Sequence, residues 1–167
     1  GLGRDPETQL LEDAACLVFL ETGFEAFSRR HPDDKVIDIV EKTWRKMGPK
    51  GRALALELVG KLAAQAMMVE FQNALIPAVQ SAILTSQIGE RLSADHPFCL
   101  IWHDRDNRRY FSMRSREDGT DVGSIAASFG GGGHTHAAGF SVPLNADGSL
   151  PTNPDLPRPI MDRRRAP

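Results

Sequence analysis

The length, composition and charge of the chain limit the classes of protein to which it can belong. Its 167 residues are 41% apolar, which suffices for one compact core and a helical extension. A net charge of -2 excludes the overall basic field that drives nonspecific DNA binding, so any nucleic-acid contact must be local. The two cysteines, Cys16 and Cys99, are too few for a disulfide framework, and no apolar run reaches the about 18 residues of a membrane span. We therefore expect a protein of the reducing cytoplasm without membrane contact.

The first 73 residues are predicted to be helical. Asp5 and Pro6 fit a helix start, because aspartate caps the first turn and proline favours its first position. The apolar face of this helix is expected to consist of Leu10, Leu11, Ala14, Ala15, Val18 and Phe19. A short helical piece is expected over residues 24–30, and His31, which precedes a proline, is read as a solvated loop residue. A further helix carries an apolar stripe that comprises Val36, Ile37, Val40 and Trp44.

A long, mostly buried helix is predicted from Arg52 onward. Its apolar positions recur every four residues and are Leu54, Leu58, Leu62 and Ala66. Met67 and Met68 at its end are expected to fill gaps in the core. Pro77 interrupts the next apolar run, so residues 75–82 are expected to form an edge or boundary strand.

Two strands separated by a polar turn are predicted after another short helix. Ser86 is expected to cap this helix, which continues to Leu92. Residues 98–102 form a continuous apolar run of strand length, residues 103–107 are polar, and the following residues alternate up to Ser115. The spacing indicates a hairpin.

The second strand of this hairpin separates apolar side chains from a basic one. Successive strand side chains face opposite sides, so Phe111 and Met113 point to one face and Arg114 to the other. On that face the planar guanidinium can bind a phosphate through two hydrogen bonds. From the residues alone, a solvated strand arginine is the more frequent case.

Residues 130–140 form the most informative stretch, Gly-Gly-Gly-Gly-His-Thr-His-Ala-Ala-Gly-Phe. Four consecutive glycines lose maximal backbone entropy on ordering and offer no side chain to pack. The usual compensation is a loop whose bare amides approach an anionic ligand ahead of a helix N-terminus. The two histidines can donate hydrogen bonds to a phosphate or a base. The residues that fit this role are Gly131, Gly132, Gly133, His134 and His136.

The flanks of the glycine stretch are patterned. Asp121 is expected to cap a helix, and Gly130 lies where a helix C-terminus prefers glycine. The apolar positions of that helix are Val122, Ile125, Ala126 and Phe129. A short helix is predicted after the glycines, followed by a strand over residues 139–142. A flexible linker is disfavoured by these flanks, and a Walker-type loop is excluded because the glycines do not lead into Gly-Lys-Ser/Thr.

Three segments combine into a specific pattern. They are Ser112-Met113-Arg114-Ser115, Asp121-Val122-Gly123-Ser124-Ile125-Ala126 and the glycine stretch. Together they closely resemble the C-terminal, DHH-associated domain of the DHH phosphoesterase superfamily, which includes RecJ-type exonucleases, oligoribonucleases and cyclic-dinucleotide phosphodiesterases. The resemblance covers residues 75–142. Upstream, the match is to the helical connection between the two domains of such enzymes.

This resemblance implies an α/β (α+β) fold, with a small mixed sheet flanked by helices. Residues 1–73 would be the helical linker and residues 74–143 the substrate-binding domain. Arg114 and Ser115, with the glycines and histidines already named, would bind a nucleotide, short RNA or single-stranded nucleic acid. The resemblance also implies an N-terminal catalytic domain that holds two manganese ions. The clustered aspartates and histidines of that domain are absent from this sequence, so no cofactor and no catalytic residue are expected in this chain.

Three functional hypotheses stay open at this point. The first is the substrate-binding half of a DHH-type phosphoesterase, inactive by itself. The second is a stand-alone nucleotide- or RNA-binding module, and the third is a dimerisation domain whose glycines merely make a tight turn. Helix faces built to meet an absent domain would favour a homodimer. The sequence does not choose among short RNA, single-stranded DNA, cyclic dinucleotides and phosphoadenosine phosphate as substrate.

Two arrangements that resemble metal sites are rejected. Asp104 and Asp106 lie in a predicted turn, where acidic residues are favoured by turn chemistry, and no partner cluster is spaced to complete a metal site. His134 and His136 offer two ligands, and two ligands without a third group make a weak site. No metal is therefore assigned to this chain.

The composition changes after residue 143. Six of the eleven prolines lie between Pro143 and Pro167, together with polar and charged residues. Such a segment buries too little apolar surface to fold independently, so residues 144–167 are predicted to be an extended or disordered tail. Its terminal arginines are read as solvated charges, and they are Arg163, Arg164 and Arg165.

Overall fold

A computed structural model describes residues 5–20, 27, 30 and 33–160 of the chain. The chain divides into two compact units, Gly1–Lys61 and Leu62–Pro167, and each is described by itself. The fold is mixed α+β, as predicted. His31 and most of the predicted helical piece over residues 24–30 lie outside the described residues.

The described part of the first unit is helical. Helix α1 comprises Pro6–Val18, α2 comprises Asp33–Lys46, and α3 comprises Pro49–Ala63. Asp5 caps α1 as predicted, because its carboxylate accepts a hydrogen bond from the Thr8 amide at 3.1 Å.

A buried carboxylate ties α1 to the start of α3. Asp13 is 5% exposed, and its two oxygens accept hydrogen bonds from the Gly48 amide at 2.7 Å and the Gly51 amide at 3.1 Å. Gln9 donates to the same carboxylate at 2.9 Å and to the Lys46 carbonyl at 3.0 Å. These bonds, the one from Gly48 foremost, hold the pKa of Asp13 below its ordinary value. Asp13 therefore caps α3 from a different helix, a role that the sequence reading did not assign.

The predicted apolar stripes of α1 and α3 are wrong in detail, whereas two side chains of the stripe predicted for α2, those of Val36 and Ile37, lie outside the described residues. On α1, the side chains of Leu10, Leu11 and Val18 are exposed. On α3, Leu54 is 53% exposed, and the buried stripe is instead made of Ala55, Val59 and Ala63. The side chains buried on α3 are thus the smaller ones, one residue out of phase with the leucines that suggested the stripe.

The predicted long helix ends early because its last segment joins a sheet. Strand β1 comprises Met67–Phe71 and buries Val69 and Phe71, while Glu70 between them is exposed. This alternation has the period of a strand, and pairing with the next strand overrides the local helical pattern. Met67 is largely exposed, so it does not fill a gap in the core.

Seven strands form one mixed sheet in the second unit. After β1 they are β2 (Ala74–Gln80), β3 (Cys99–Arg105), β4 (Arg108–Arg114), β5 (Gly132–His134), β6 (Ala137–Pro143) and β7 (Arg158–Pro159). Their order in the sheet is β5-β6-β4-β3-β2-β1-β7. Only β2 and β3 are parallel among these pairs of described strands, and the other neighbours are antiparallel.

Strand β2 lies inside the sheet, so its predicted edge position is wrong. Pro77 faces Met68 of β1, whereas the parallel pairing with β3 begins only at Ala78. Proline lacks the amide hydrogen that a second neighbour would need. The sheet accommodates Pro77 because the strand has a single partner at that point.

The predicted polar turn is shorter than expected. Strands β3 and β4 run to within two residues of each other, and Asp106 and Asn107 make the turn with positive φ values of 49° and 57°. Asparagine and aspartate tolerate this left-handed conformation, which suits a two-residue hairpin. Asp104 therefore lies on β3 and not in the turn.

Two helices cover opposite faces of this sheet. Helix α4 comprises Thr85–Ser93, and α5 comprises Val122–Ser128. The predicted Ser86 cap is wrong, because the residue before α4 is Leu84 in a left-handed conformation with no side-chain cap. Helix α5 lies on the core face, defined by the buried residues Phe111, Met113, Ala138 and Phe140. Helix α4 contacts β3 and β4 on the other face, the second face, beside Ile101 and Arg114.

Residues 144–160 were predicted as an extended or disordered tail, and the disordered alternative is wrong because they are anchored to the core and the sheet. Leu156 is 3% exposed and belongs to the core cluster, and β7 pairs with β1. A turn in which Asn145 and Ser149 hydrogen-bond to each other begins the segment. One well-placed leucine and a two-residue strand anchor a polar segment that could not fold alone. Residues 161–167 lie outside the described residues.

Candidate functional site: a platform on the second sheet face

Strand register brings three of the seven predicted site residues into rows on the second face. Arg114 of β4 lies opposite Ala137 of β6, which in turn lies opposite His134 of β5. In-register residues of neighbouring strands carry their side chains on the same face. The next row consists of Ser112, Gly139 and Gly132. We call these six residues the platform.

The helix before the glycines is built as the sequence predicts. The Asp121 carboxylate accepts a hydrogen bond from the Ser124 amide at 3.1 Å and caps α5. Hydrogen bonding from Ser124 lowers the pKa of Asp121 from its ordinary value. At the other end, the Gly130 amide bonds to the Ala127 carbonyl and the Gly131 amide to the Ala126 carbonyl. With Gly130 at φ +73°, this is a Schellman motif, so Gly130 ends the helix as expected.

The segment after Gly130 differs from the prediction. No short helix follows the glycines, because β5 and β6 form a hairpin through Thr135 and His136. The extended sequence Ala-Ala-Gly-Phe buries Ala138 and Phe140 at alternate positions, which is a strand pattern. Strand β5 is exposed along its length and lies at the edge of the sheet. The glycine backbone is thus presented as an edge strand and not as a loop ahead of a helix.

Three of the glycines in this hairpin are required by the fold, and one is not. A Cβ on Gly131 would overlap the Gly139 carbonyl, and one on Gly139 would lie 2.6 Å from the Phe111 carbonyl oxygen. Gly133 has φ +140°, and its Cβ would lie 2.5 Å from the Ala138 Cα. Gly132 has no positive φ, and nothing lies within 4 Å of a Cβ built on it. The fold therefore leaves open why residue 132 is a glycine.

Arg114 is the half-buried cation of the platform. Its aliphatic stem passes so close to Gly89 of α4 that a Cβ at Gly89 would overlap it. One guanidinium nitrogen donates to the Met113 carbonyl at 2.9 Å. Among the described residues, no carboxylate lies within ion-pair distance of this guanidinium. Burial lowers the pKa of Arg114 from its ordinary value, although arginine stays charged at neutral pH.

Ser115 and His136 hold the hairpin to the preceding loop. The Ser115 hydroxyl donates to the Thr120 carbonyl at 2.7 Å, and its oxygen lies 3.0 Å from His136 Nδ1. A hydroxyl has one hydrogen, so Nδ1 must carry the hydrogen of the second bond. The Ser115 amide also bonds to the His136 carbonyl at 3.2 Å. Both predicted site residues thus lie near the platform with their polar groups engaged in the fold.

His134 stands at the exposed end of the first platform row. Its side chain is exposed, and the structure gives it no hydrogen-bond or ion-pair partner among the described residues. Its carbonyl lies 3.1 Å from the position that a Cβ on Gly123 would occupy, so the backbone is held against α5. The side chain is therefore available to a ligand on the platform.

No metal site is found in the described part of the chain. No three histidine, cysteine, aspartate or glutamate side chains among these residues come together to hold an ion. Asp104 instead makes two bonds to Arg109, at 2.7 and 2.8 Å, and the Arg109 guanidinium lies 3.9 Å above the Trp102 ring. Cys99 is buried, and burial raises the pKa of its thiol to about 12, so it is not a ready ligand. In the same residues, no helix is long and apolar enough to cross a membrane.

A family model and a curated relative match the chain over different lengths. The family model called "Domain of unknown function (DUF4202)" matches residues 1–69. The uncharacterized protein R106 of Acanthamoeba polyphaga mimivirus is 28% identical over an alignment of 123 residues, and the match covers 71% of this chain. The matched region is 28% of that relative, so the chain spans well under half of its length.

Two solved structures are similar to the fold at low scores. An uncharacterized protein from Helicobacter pylori G27 has a TM-score of 0.39 and 16% identity, with 67% of this chain and 28% of that chain covered. The pGpG-specific phosphodiesterase PggH from Vibrio cholerae has a TM-score of 0.36 and 12% identity, with 85% and 58% covered. Similarity at this level does not identify a function.

Proposed function

We propose that the platform binds the phosphate of a nucleotide or short single-stranded nucleic acid, and that the chain is the substrate-binding part of a DHH-type phosphoesterase. The observation that carries this proposal is Arg114, a half-buried cation that has no carboxylate partner among the described residues. A bound phosphate would supply the opposite charge and accept the remaining guanidinium hydrogens. The motif resemblance supports the same assignment.

The bare surface next to Arg114 favours a ligand that lies close to the backbone. Ala137, Gly139 and Gly132 form a floor with almost no side chain. Such a floor lets a phosphodiester and its sugar approach the strands, which larger residues would prevent. A glycine at position 132 suits close approach of a ligand, and the fold itself does not require a glycine there.

Arg114 and His134 would hold one phosphate from two sides. They lie two strands apart, which places their Cα atoms about 10 Å from each other. The long arginine side chain and the imidazole can both reach a phosphate above Ala137, which lies between them. The exposed His134 would then contribute a hydrogen bond from its imidazole ring.

In this proposal the chain binds and orients substrate, and other residues cut it. The hydrolytic step is proposed to depend on a catalytic part outside this sequence that holds two manganese ions, which would activate water and neutralise the phosphate. The described residues of this chain offer no ligand cluster for such ions. Their contribution is to fix the position of the scissile phosphate.

A double-mutant cycle by calorimetry tests the proposal. Four proteins are each titrated with the dinucleotide pApA. They are the native full chain, the variants Arg114→Ala and His134→Ala, and the double variant. Loss of a hydrogen bond to a charged group costs about 1.5 to 3 kcal/mol, so the Arg114 variant should bind roughly 10- to 150-fold more weakly. Because both side chains would contact one phosphate, the two effects should not add.

Matched controls separate this site from general electrostatics. Arg91→Ala removes an exposed arginine of α4 and should leave affinity unchanged. Arg114→Ala should also flatten the salt dependence of binding, because one phosphate contact is lost. Equal affinity of the native chain and both single variants, or no binding of pApA at all, would contradict the proposal.

A further inference from the structure

We infer that Ser112 recognises the ribose 2′-hydroxyl of the bound nucleotide, so that the platform prefers ribonucleotides to deoxyribonucleotides. This inference rests on the proposed function and adds a substrate class to it. It is based on the position of the Ser112 hydroxyl in the second platform row, where the fold does not use it for a hydrogen bond.

Ser112 is the one side chain with a hydrogen-bonding group in its row on β4, β6 and β5. Its in-register neighbours are Gly139 and Gly132, which have no side chains. Ser112 precedes Arg114 by two residues, so the two side chains lie on the same face about 7 Å apart along the strand. A nucleotide whose phosphate lies on Arg114 would therefore place its sugar near Ser112.

The Ser112 hydroxyl is not used by the fold. Among the described residues it makes no hydrogen bond, and its oxygen is not sealed from solvent. The neighbouring serines differ: Ser115 bonds to Thr120 and His136, and Ser141 accepts two bonds from Arg108. Ser112 thus keeps one donor and two acceptors for a ligand.

The 2′-hydroxyl is the group that matches this hydroxyl. It both donates and accepts a hydrogen bond, and its presence distinguishes RNA from DNA at a given position. Since both partners are neutral and Ser112 is partly solvated, the discrimination should be modest. A neutral hydrogen bond corresponds to a preference of about 2- to 12-fold.

The experiment compares ribose and deoxyribose forms of one dinucleotide. The full chain is titrated by calorimetry with pApA and with its all-deoxy form. The native chain should prefer the ribose form, and Ser112→Ala should remove that preference by weakening only the ribose form. Ser112→Thr, which retains the hydroxyl, should keep the preference. Ser128→Ala is the control, because it removes an exposed serine on α5.

The outcomes distinguish this inference from the function on which it rests. Equal affinity for both forms in the native chain, or a preference that survives in Ser112→Ala, overturns the inference. If Arg114→Ala still weakens both forms in that case, the phosphate site stands. If neither form binds the native chain, the proposed function and the inference fail together. Circular dichroism of each variant shows whether it folds like the native chain.

Discussion

The glycine at position 132 gives a prediction in which folding and binding separate. A Cβ at Gly132 meets no atom within 4 Å, and the residue has no positive φ. Gly132→Val should therefore leave the free energy of unfolding within about 0.5 kcal/mol of the native value, as for other open surface positions. Valine also suits an extended strand, where its propensity exceeds that of glycine.

Binding should respond differently. The valine methyl groups would occupy the bare floor on which the ligand is proposed to lie, beside Gly139. We expect the affinity for pApA to fall at least tenfold, which corresponds to about 1.4 kcal/mol. The assay is calorimetric titration of the full chain, paired with urea unfolding of the same preparations.

Gly133→Ala is the matched comparison one residue away. Its φ of +140° is strained for alanine, and the new Cβ would lie 2.5 Å from the Ala138 Cα. This variant should lose about 1 to 3 kcal/mol of stability from backbone strain alone. If Gly132→Val binds pApA as the native chain does, the floor is not a ligand surface. If Gly132→Val instead loses as much stability as Gly133→Ala, there is no open space for a side chain at residue 132.

Three further variants or conditions test other parts of the structure. Leu156→Ala should lower the free energy of unfolding by about 2 to 5 kcal/mol, because it empties a core position, and a loss below 0.5 kcal/mol would show that the tail is not anchored. Asp13 has a lowered pKa, so its contribution is present above its unfolded pKa near 4 and is lost as the pH falls through the folded value. Asp13→Asn should therefore lower the urea midpoint more at pH 7 than at pH 3. Asp121 and Asp147 also have lowered pKa values, but the native chain and the variant both contain them, so their effects cancel in the comparison. Finally, the pure chain with manganese and pApA should show no hydrolysis above buffer, and metal-dependent turnover would contradict the assignment of catalysis to another part.

Short-range signals correctly predicted some local features of the second unit. Asp121 caps α5 and Gly130 ends it, because both roles depend only on the residues of one helix end. The opposite faces of Phe111 and Arg114 were also predictable, since they follow from the two-residue period of a strand. These signals are physical properties of a few adjacent residues.

The errors arose where distant segments decide the structure. Met67 and Met68 fit a helical pattern locally, but they form part of a strand because they pair with β2. A short helix was predicted after the glycines, but these residues form a turn and then β6, because β6 pairs with β4. Leu156 is anchored because it packs against a core cluster whose other residues lie far earlier in the sequence. None of these outcomes is encoded in local propensity.

Half of the platform residues were predicted from the sequence, but the arrangement of the platform was not. The sequence pattern indicated Arg114, Gly132 and His134, and the register places them on one face of β4 and β5, the two strands that flank β6. It did not separate them from Ser115 and His136, whose polar groups hold the hairpin to the loop. The sequence indicated Ser112 only as part of a motif. That its hydroxyl is unused could not be predicted, because this depends on the hydrogen bonds of the neighbouring residues.

The most direct test of the central claim maps the ligand onto the sheet. The full chain, labelled with nitrogen-15, is titrated with pApA, and amide chemical shifts are followed residue by residue. We expect saturable shifts to concentrate on the platform, at Ser112, Gly132, His134, Ala137 and Gly139, and the helices of the first unit to be unaffected. Shifts confined to the first unit, or no saturable shift at the platform, would contradict the claim.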